Sequence, residues 1–485
     1  MKKLNVKRIE KIFRPDPSRV IIKSHIPSSA GRIENVIARV LNLSDEESNK
    51  ILQDIIEDFS RRHKNVCGAL DKHYNRIKKH IPSDRGITDV KKALLGAYFS
   101  KEYAVQSAAF FNPSIVKHPD QTQIPEGSMR FILSFRAVGE GHLSSIEFRS
   151  GMVDEEANFK FDEVSPFVER AAAVNNPVYK KDILFYKLEE MHVDCSCLSN
   201  LKEQLSDEFN LSELRALLNV LPEEKIHDLR DTVLWLAESN YELQFKIDQN
   251  LSERIIFPSS QNESNGIEDA RFVRFEYDDE EVVYYATYTA YNGAKVLPQI
   301  LETKDFLNYK AITLNGEYAT NKGMSLFPKK INGKYMIISR IDGENLYTMS
   351  SENIHFWNTS KLLRQPQYDW EFMQIGNCGS PIETDRGWIV LTHGVGAMRK
   401  YCLGAILLDL EDPRKVIGTT KRPILEPLES ERNGYVPNIV YSCGGIIHGD
   451  NLIIPYAMSD TNSGIALVSV TELLDYMLNY GEVEK

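Results

Sequence analysis

The segment NGIEDARFVRF places two acids and an arginine at the start of a strongly apolar run. Side chains alternate between the two faces of a strand, so Asp269 and Arg271 are predicted to share one face and Glu268 to be opposed or at the turn. A cation beside a carboxylate lowers its pKa, which predicts an ionised Asp269 near neutral pH. One interpretation is a solvated turn with a surface ion pair. We favour a catalytic carboxylate, because the acids follow a glycine at a strand start and similar polar residues open other strands of the chain.

A second cluster of chemically active residues contains His192, Cys195 and Cys197. No fourth ligand follows at a suitable spacing, so ordinary packing is favoured and no metal site is predicted. The six cysteines are scattered along 485 residues. They are interpreted as reduced thiols of a cytoplasmic protein.

The overall charge and hydropathy exclude several classes of partner. A formal net charge of -11 argues against nucleic-acid binding and suits a neutral substrate. No stretch approaches the roughly 18 uncharged apolar residues of a membrane span. The amino terminus, MKKLNVKRIEKIF, is basic and lacks the apolar run of a signal peptide. We therefore expect no nucleic-acid or membrane partner.

Two regions show the three-and-four spacing of apolar residues that is typical of helices. The first runs from about Gly31 to Tyr103, where Ser44 followed by acids is typical of a helix N-cap. The second runs from about Leu184 to Phe245 and includes LSELRALLNVL and DLRDTVLWLAESNYELQF.

The remainder of the chain repeats one β pattern, in which a turn leads into a short apolar strand. Asn332-Gly333 is by itself a strong hairpin signal. The last four repeats begin about 54 to 63 residues apart, and the second helical region separates the first repeat from them. The five segments are EGSMRFILSFRAVG, YDDEEVVYYATYTAY, INGKYMIISR, DRGWIVLTHGV and HGDNLIIPYAMSD.

Recurrence at about 50 residues, with several strands in each repeat, is typical of propeller blades. The sequence therefore predicts a mainly β fold, a five-bladed β-propeller with an α-helical N-terminal region and a helical insertion. The predicted boundaries are 1–105 for the helical N-terminal region, 106–183 and 251–485 for the propeller, and 184–250 for the insertion.

Several sequence motifs resemble those of one known family. GIEDAR resembles the G-x-E-D-P-R signature of glycoside hydrolase family 130, the β-mannoside phosphorylases and β-mannosidases. Further motifs between about residues 110 and 475 resemble the family in the same order. They are FNPSIV with LSFRA, SLFPKKINGKYMIISR, GNCGSPIETDRGWIVLTHGV, LLDLEDPRKVIG, and GYVPNIVYSCG with YAMSD.

The resemblance implies a five-bladed propeller, cleavage of a β-mannoside with inversion, and the signature aspartate, here Asp269, as the general acid. In the family the proton is thought to pass through a hydroxyl of the mannosyl unit. The resemblance also assigns residues to the two reactants. Asn112 and Arg136 are expected at the sugar or the phosphate, and Lys322, Arg340, His393 and Tyr401 at phosphate or its equivalent. Arg271 and Asp460 are also expected at the sugar, although Asp460 has the alternative interpretation of a turn cap.

Three positions depart from the family pattern. Gln374 stands where the phosphorylases often carry lysine, and Lys400 with Arg399 is a candidate for restoring the lost charge. Ala270 replaces the signature proline, and Ser380 replaces the first proline of P-P-I. The neutral amide of Gln374 is the departure that bears most on the attacking group.

Two reactions therefore stay open. Phosphorolysis of a β-mannoside, such as a β-1,2-linked manno-oligosaccharide, to mannose 1-phosphate is the leading hypothesis, because the basic residues of the family pattern are retained. Hydrolysis by an inverting β-mannosidase or β-mannobiosidase is the alternative. It requires a second carboxylate roughly 6.5–9.5 Å from the acid, for which Glu140 and Glu383 are candidates. A non-catalytic interaction scaffold is a remote third hypothesis.

The expected ligands are an oligosaccharide and, for a phosphorylase, inorganic phosphate as co-substrate. No cofactor is expected, because the chain contains no phosphate-binding GxxxxGK[ST] loop. The helical additions have two interpretations, a cover over the pocket mouth or a contact between copies of the chain in a homo-oligomer.

Overall fold

The computed structural model describes residues 4–81, 83, 86–174, 177–193, 198–220, 227–294 and 296–480. The described chain is mainly β, as the sequence predicted. Thirty strands and nine helices are present within these ranges. None of the described helices has the length and apolar character needed to cross a membrane.

Most strands belong to five antiparallel units, which follow one another along the chain. The first and second units are joined into one twelve-stranded sheet by a parallel pairing of Gly266 with Ser144. The first unit contains β4 (Ala109–Lys117), β5 (Met129–Val138), β6 (Ser144–Val153), β7 (Phe159–Phe161), β8 (Glu169–Arg170) and β13 (Arg254–Ile256). The second contains β9 (Ala172–Ala173), β12 (Tyr241–Gln244), β14 (Gly266–Glu276), β15 (Val282–Tyr291), β16 (Val296–Thr303) and β17 (Asn308–Thr313).

The other three units are separate sheets of four or five strands. The third contains β18 (Ser325–Leu326), β19 (Tyr335–Ser339), β20 (Leu346–Ser351) and β21 (Ser360–Arg364). The fourth contains β22 (Gln374–Asn377), β23 (Ile382–Thr384), β24 (Gly387–Val395), β25 (Tyr401–Leu408) and β26 (Val416–Thr419). The fifth contains β1 (Val6–Arg8), β27 (Val440–Tyr441), β28 (Ile446–His448), β29 (Asn451–Met458) and β30 (Asn462–Ser469).

Each unit packs against the next, and the fifth packs against the first. The contacts are β4 with β14, β15 with β18, β20 with β22, β25 with β27, and β29 with β4. Successive side chains point to opposite faces of a strand, so one strand can contact the units on both of its sides. In β14, Phe272 faces the first unit while Val273 and Phe275 face the third. Five apolar clusters therefore lie between neighbouring units and form most of the core.

The predicted hairpin at Asn332-Gly333 is confirmed. Both residues have positive φ, 51° and 75°, which is the requirement of a type I′ turn. Ile331 pairs with Lys334 across the turn, and β19 follows immediately.

Both helical regions predicted from the sequence are present. The first contains α1 (Ala30–Leu41), α2 (Asp45–Phe59), α3 (Val66–Ile77) and α4 (Asp89–Tyr98), and the second contains α5 (Lys181–Glu190), α6 (Ser199–Gln204), α7 (Leu211–Val220) and α8 (His227–Glu238). Ser44 caps α2 in a capping box with Glu47, as its position predicted. A ninth helix, α9 (Val470–Tyr480), packs on the fourth and fifth units.

Two short pairs of strands accompany the helices. β2 (Val20–Ser24) pairs with β3 (Ser100–Ala104), and β10 (Val178–Lys180) pairs with β11 (Glu208–Asn210). Arg19, just before β2, forms a buried 2.9 Å ion pair with Glu147 of β6. The helical N-terminal region is therefore connected to the first unit by a buried charge pair.

Candidate active site

Two irregular strands bring Asn112 to Asp269. The β14–β15 register is interrupted between Glu268 and Arg271, and β4 is interrupted at Asn112. Asp269 and Asn112 both have positive φ, 52° and 48°, which is uncommon for residues with a side chain. Bulges of this kind re-aim side chains. The Asn112 Nδ2 donates to Oδ1 of Asp269 at 2.7 Å, across two units.

Arg136 of β5 contacts both acids of the GIEDAR segment. Its guanidinium lies 2.8 Å from Glu268 and 3.4 Å from Asp269, and Lys322 pairs with Glu268 at 2.5 Å. Of the two predicted placements of Glu268, opposed to Asp269 or at the turn, the opposed placement is therefore wrong. The bulge breaks the alternation of faces between these two residues, so both carboxylates reach the same arginine.

Arg271 is buried beneath this cluster and fixes its backbone. Its side chain donates to the carbonyl of Asp269 at 2.9 Å, to the carbonyl of Cys378 at 3.1 Å and to the Tyr441 hydroxyl at 2.6 Å. Arg271 thus holds the irregular backbone of β14 against the fourth and fifth units, while Arg136 contacts the carboxylate itself.

The pKa of the Asp269 carboxyl lies below its ordinary value. Burial raises this pKa, but the charges of Arg136 and Arg271 and the hydrogen bond from Asn112 lower it by more. The sequence-based prediction of an ionised Asp269 is confirmed in direction, with Arg136 contributing more than Arg271.

Asp460 is a second carboxylate in the same electrostatic environment. Burial raises the pKa of its carboxyl to about 6, the charge of Asp269 raises it too, and Arg136 and Arg399 oppose both effects. Asp460 also has positive φ, 51°. Two neighbouring carboxylates whose pKa values are moved apart are typical of acid–base sites.

A basic group formed by Arg340, His393 and Gln374 lies next to this cluster. Nη1 of Arg340 lies 3.3 Å from Nε2 of His393, and the side-chain amide of Gln374 contacts both of these side chains. Burial lowers the pKa of His393 well below its ordinary value, and the charges of Arg340 and Arg271 lower it further. His393 is therefore a neutral imidazole.

Aromatic rings connect the basic group to Asp269. Tyr401 stacks on His393 with ring centroids 6.0 Å apart, and Tyr441 lies 4.8 Å from the same imidazole. The Tyr441 hydroxyl accepts from Arg271, which holds the Asp269 carbonyl. The acid and the basic group therefore belong to one continuous site.

Several polar atoms of this site are buried without a hydrogen-bond partner within the described part of the chain. They are Oδ1 of Asn112, Nε of Arg136, Nε of Arg340 and Nδ1 of His393. Buried polar atoms without partners are rare in folded proteins. Their concentration here supports a ligand-binding site.

Three predicted site residues are not brought into these contacts. Lys400 pairs with Glu426, Glu140 with Lys101 at 2.6 Å, and Glu383 with Lys329 at 2.7 Å. Each of the three is at least 43% exposed in its side chain. No ion pair or hydrogen bond joins them to Asp269 within the described ranges.

Four aromatic residues of the repeated segments and family motifs could pack on a sugar face, and they divide into two groups by exposure. Tyr288 and Trp388 are buried at 3% and 0% exposure, so they are core. Tyr435 is 67% exposed and lies 5.3 Å from the ring of His142. Tyr291 is half-buried, with the Lys322 ammonium 5.5 Å over its ring.

No group of three or more His, Cys, Asp or Glu side chains is placed to hold a metal ion among the described residues. Cys195 and Cys197, which were considered as metal ligands, lie outside the described residues.

Sequence reasoning missed Tyr441 and the shared position of Glu268. Tyr441 lies in the VYSCG stretch, and nothing in its local sequence indicates a contact with Arg271, which is 170 residues away. For Glu268, the signal was the glycine and paired acids at the strand start, which are typical of irregular strand entry.

Neighbouring carboxylates with displaced pKa values, paired with arginine and close to a neutral imidazole, are typical of an enzyme active site. Comparisons with known proteins agree. The sequence model of glycoside hydrolase family 130, described as beta-1,4-mannooligosaccharide phosphorylase, matches residues 225–479. The chain therefore belongs to glycoside hydrolase family 130 and is an enzyme of that family.

Individual relatives match smaller shares of the chain. A 1,2-beta-oligomannan phosphorylase of Thermoanaerobacter sp. (strain X514) is 33% identical over 46% of this chain and 75% of its own length. A beta-1,2-mannobiose phosphorylase of Listeria innocua serovar 6a is 32% identical over 49% of this chain and 67% of its own. The solved Listeria innocua enzyme with beta-1,2-mannobiose covers 77% of this chain and 93% of that one, at 22% identity and a TM-score of 0.45.

Proposed function

We propose that the five units are the blades of a five-bladed propeller, with the Asp269 cluster at its mouth. The cyclic order of contacts and the five apolar clusters between neighbours support this proposal. The proposed boundaries are those predicted from the sequence, 106–183 and 251–485 for the propeller and 1–105 and 184–250 for the helical additions. Two strands are exceptions, because β1 (Val6–Arg8) pairs with β30 of the fifth unit and β12 (Tyr241–Gln244), inside the predicted insertion, pairs with β17 of the second.

The reaction we infer is phosphorolysis of a β-mannoside with inversion, giving mannose 1-phosphate. Three relatives at 32–35% identity are named as phosphorylases of β-1,2-oligomannan or β-1,2-mannobiose. Their names support β-1,2-linked manno-oligosaccharides as the substrate class. The observation that carries the proposal is a partly buried Asp269 joined through Arg271 and Tyr441 to the Arg340–His393 group, which has buried polar atoms without partners in the described chain.

In the proposed reaction, a phosphate oxygen forms a bond to the anomeric carbon while the bond to the glycosidic oxygen breaks. That oxygen receives a proton from Asp269 through a hydroxyl of the mannosyl unit. A carboxyl with a lowered pKa is mostly ionised near neutrality and holds a proton for only a small fraction of the time. Asn112, Arg136, Arg271 and Asp460 are proposed to bind and orient the sugar.

The phosphate is proposed to lie against Arg340, His393, Tyr401 and Lys322. Planar guanidinium groups suit the oxygens of phosphate. Lys322 is already paired with Glu268, whereas Arg340 has no carboxylate partner within the described chain. Arg340 is therefore the principal cation for the anion. The role predicted for Lys400 has no support from its pairing with Glu426.

Incubation with β-1,2-mannobiose, with and without inorganic phosphate, tests the proposal. We expect mannose 1-phosphate and mannose in the presence of phosphate and no turnover in its absence. Equal release of free mannose under both conditions would exclude the phosphorylase and establish the hydrolase.

Hydrolysis is the second candidate function because Gln374 places a neutral amide in the basic group. A hydrolase needs a carboxylate to activate water. Glu140 and Glu383 were the candidates, and both are exposed and paired with lysines. Because both carboxylates are paired with lysines instead of being joined to Asp269, these pairings favour phosphorolysis over hydrolysis.

We propose a cytoplasmic location because the described cysteines are free thiols. Cys67, Cys378, Cys402 and Cys443 are free within the described chain, which is typical of a reducing compartment. The oligosaccharide and phosphate are the proposed binding partners, and a homo-oligomer stays a prediction.

A further inference from the structure

A cluster of four cations lies where the helical N-terminal region meets the first unit. Its members come from three separate segments, and we call them the cation cluster. They are Lys72 and Arg76 of α3, Lys23 of β2 and Arg170 of β8. Residues four apart on a helix share one face, so Lys72 and Arg76 lie on the same side of α3. Such a concentration of positive charge is unusual in a chain whose formal net charge is -11.

The buried ring of Phe257 holds two members of the cation cluster together. The Lys23 ammonium lies 5.4 Å and the Arg170 guanidinium 4.6 Å from the centre of this ring. The Lys23 ammonium also lies 4.8 Å from the centre of the Tyr103 ring. Attraction to an aromatic face positions a cation without neutralising its charge. Two groups of the same sign are therefore fixed against one side chain.

Carboxylates near the cation cluster already pair with other cations. On β3, Glu102 pairs with Arg62 at 2.7 Å, and Lys101 pairs with Glu140 of the β5–β6 loop at 2.6 Å. Lys101 is also the cross-strand partner of Lys23, and like charges directly opposite each other repel. No member of the cation cluster forms an ion pair with a carboxylate of the described chain. The cluster therefore has positive charge in excess.

The members of the cation cluster destabilise one another's charge. Burial lowers the pKa of Lys72, and the charges of Arg170 and Arg76 lower it further. Burial also lowers the pKa of Lys23, with additional contributions from Lys101 and Arg170. An anion bound among these groups would offset the repulsion between them.

We propose that the cation cluster is a binding site for a compact, soluble anion that carries a phosphoryl group. Each guanidinium can donate to two oxygens of such a group, and the two ammonium groups add further charge. The acidic surface of the rest of the chain would repel an extended polyanion, so a compact ligand is favoured. No member of the cluster belongs to the candidate active site, so this site does not depend on the reaction proposed above.

Binding of inorganic pyrophosphate, measured by calorimetry at low ionic strength, tests the site. Arg76→Met and Arg170→Met each replace one guanidinium by a neutral, unbranched side chain. Arg39→Met is the matched control, because Arg39 is also exposed and also lies in the last turn of a twelve-residue helix. Each substitution is made both in the wild type and in Arg340→Met, which removes the principal cation of the proposed phosphate site and so separates the two anion sites.

We expect Arg76→Met and Arg170→Met to weaken pyrophosphate binding by about 10- to 100-fold, the range for losing a hydrogen bond between charged groups. The Kd of the cluster should be unchanged in Arg39→Met and in Arg340→Met. Pyrophosphate should also raise the melting temperature of the wild type by more than that of either cluster variant, because a ligand that binds only the folded chain stabilises it. A merely structural role of the cations would lower the melting temperature and leave pyrophosphate binding unchanged.

Three outcomes would overturn the proposal. The first is an unchanged Kd for pyrophosphate in both cluster variants. The second is loss of all pyrophosphate binding in Arg340→Met, which would assign the anion to the active site. The third is tighter binding of a single-stranded oligonucleotide than of pyrophosphate, with the same loss in the cluster variants, which would make the ligand an extended polyanion. Failure of the wild-type chain to form mannose 1-phosphate would overturn the proposed function alone.

Discussion

At the scale of single residues, the site depends on side chains attached to unusual backbone. Asn112, Asp269 and Asp460 all have positive φ. Such conformations in residues other than glycine are strained by about 1–3 kcal/mol each and concentrate at functional sites. Here the carboxylates of Asp269 and Asp460, from two units, lie in the field of one arginine, Arg136, and the Asn112 amide from a third unit donates to Asp269.

Replacing the proposed acid should remove most activity with little change in structure. Asp269→Asn keeps the shape of the side chain but cannot donate the proton, so we expect kcat to fall by about 10²- to 10⁴-fold. Glu140→Gln and Glu383→Gln are the matched controls, because both residues are exposed and outside the cluster. A comparable loss of kcat in either control would indicate that the replaced carboxylate acts as a base, which the proposed phosphorolysis does not use.

The raised pKa of Asp460 predicts a pH dependence of sugar binding. Its carboxyl is ionised above about pH 6, where in the proposed role it would accept hydrogen bonds from sugar hydroxyls, whereas below about pH 6 it is protonated. We therefore expect kcat/KM for the mannoside to fall as the pH drops through about 6. Asp460→Asn is neutral at every pH, so its kcat/KM should be lower throughout and should lack this acidic step. If kcat/KM of the variant still falls with the same midpoint, the titrating group is a residue other than Asp460.

At the scale of elements, Gly266 determines how β14 enters the site. It has φ of +126°, and a Cβ here would stand 2.2 Å from Oγ and 2.8 Å from the backbone nitrogen of Ser144. This glycine lets β14 approach β6 closely enough for the parallel pairing that joins the first two units.

Gly266→Ala should therefore destabilise the fold and disturb the site together. Backbone strain of this type is worth about 1–3 kcal/mol, which we expect as a lower melting temperature and a reduced kcat. Gly31→Ala in α1 is the control, because no atom lies within 4 Å of its added Cβ. Unchanged melting of Gly266→Ala would mean that β14 can shift away from Ser144 at little cost.

At the scale of the whole molecule, a buried charge pair fastens the helical N-terminal region to the first unit. Arg19 and Glu147 are 2% and 0% exposed, and Arg149 and Gln106 also contact Glu147. Removing Arg19 would leave the buried carboxylate of Glu147 with less positive charge to compensate it.

Arg19→Met is expected to lower the free energy of unfolding by about 3–5 kcal/mol. Arg215→Met, which breaks the exposed pair with Glu238, should change it by less than about 1 kcal/mol. Denaturant titration followed by fluorescence measures both. Equal, small effects would show that Arg149 and Gln106 suffice to compensate Glu147.

The sequence by itself determined the elements and the chemical types at the site. Turns leading into short apolar runs predicted the strands, the spacing of three and four predicted α1 and the insertion helices, and Asn332-Gly333 predicted its turn, because these signals depend on neighbours along the chain. The paired acids with Arg271 marked the candidate site for the same reason.

Only the tertiary structure decided which of these residues meet. Glu268 joins Asp269 because a bulge breaks the alternation of faces, and Tyr441 reaches Arg271 across 170 residues. Glu140 and Glu383 are of the right residue type but form ion pairs with lysines elsewhere. Local sequence specifies which face a side chain takes within a regular strand, whereas the positions of irregular residues and the neighbours across units follow from how five sheets pack together.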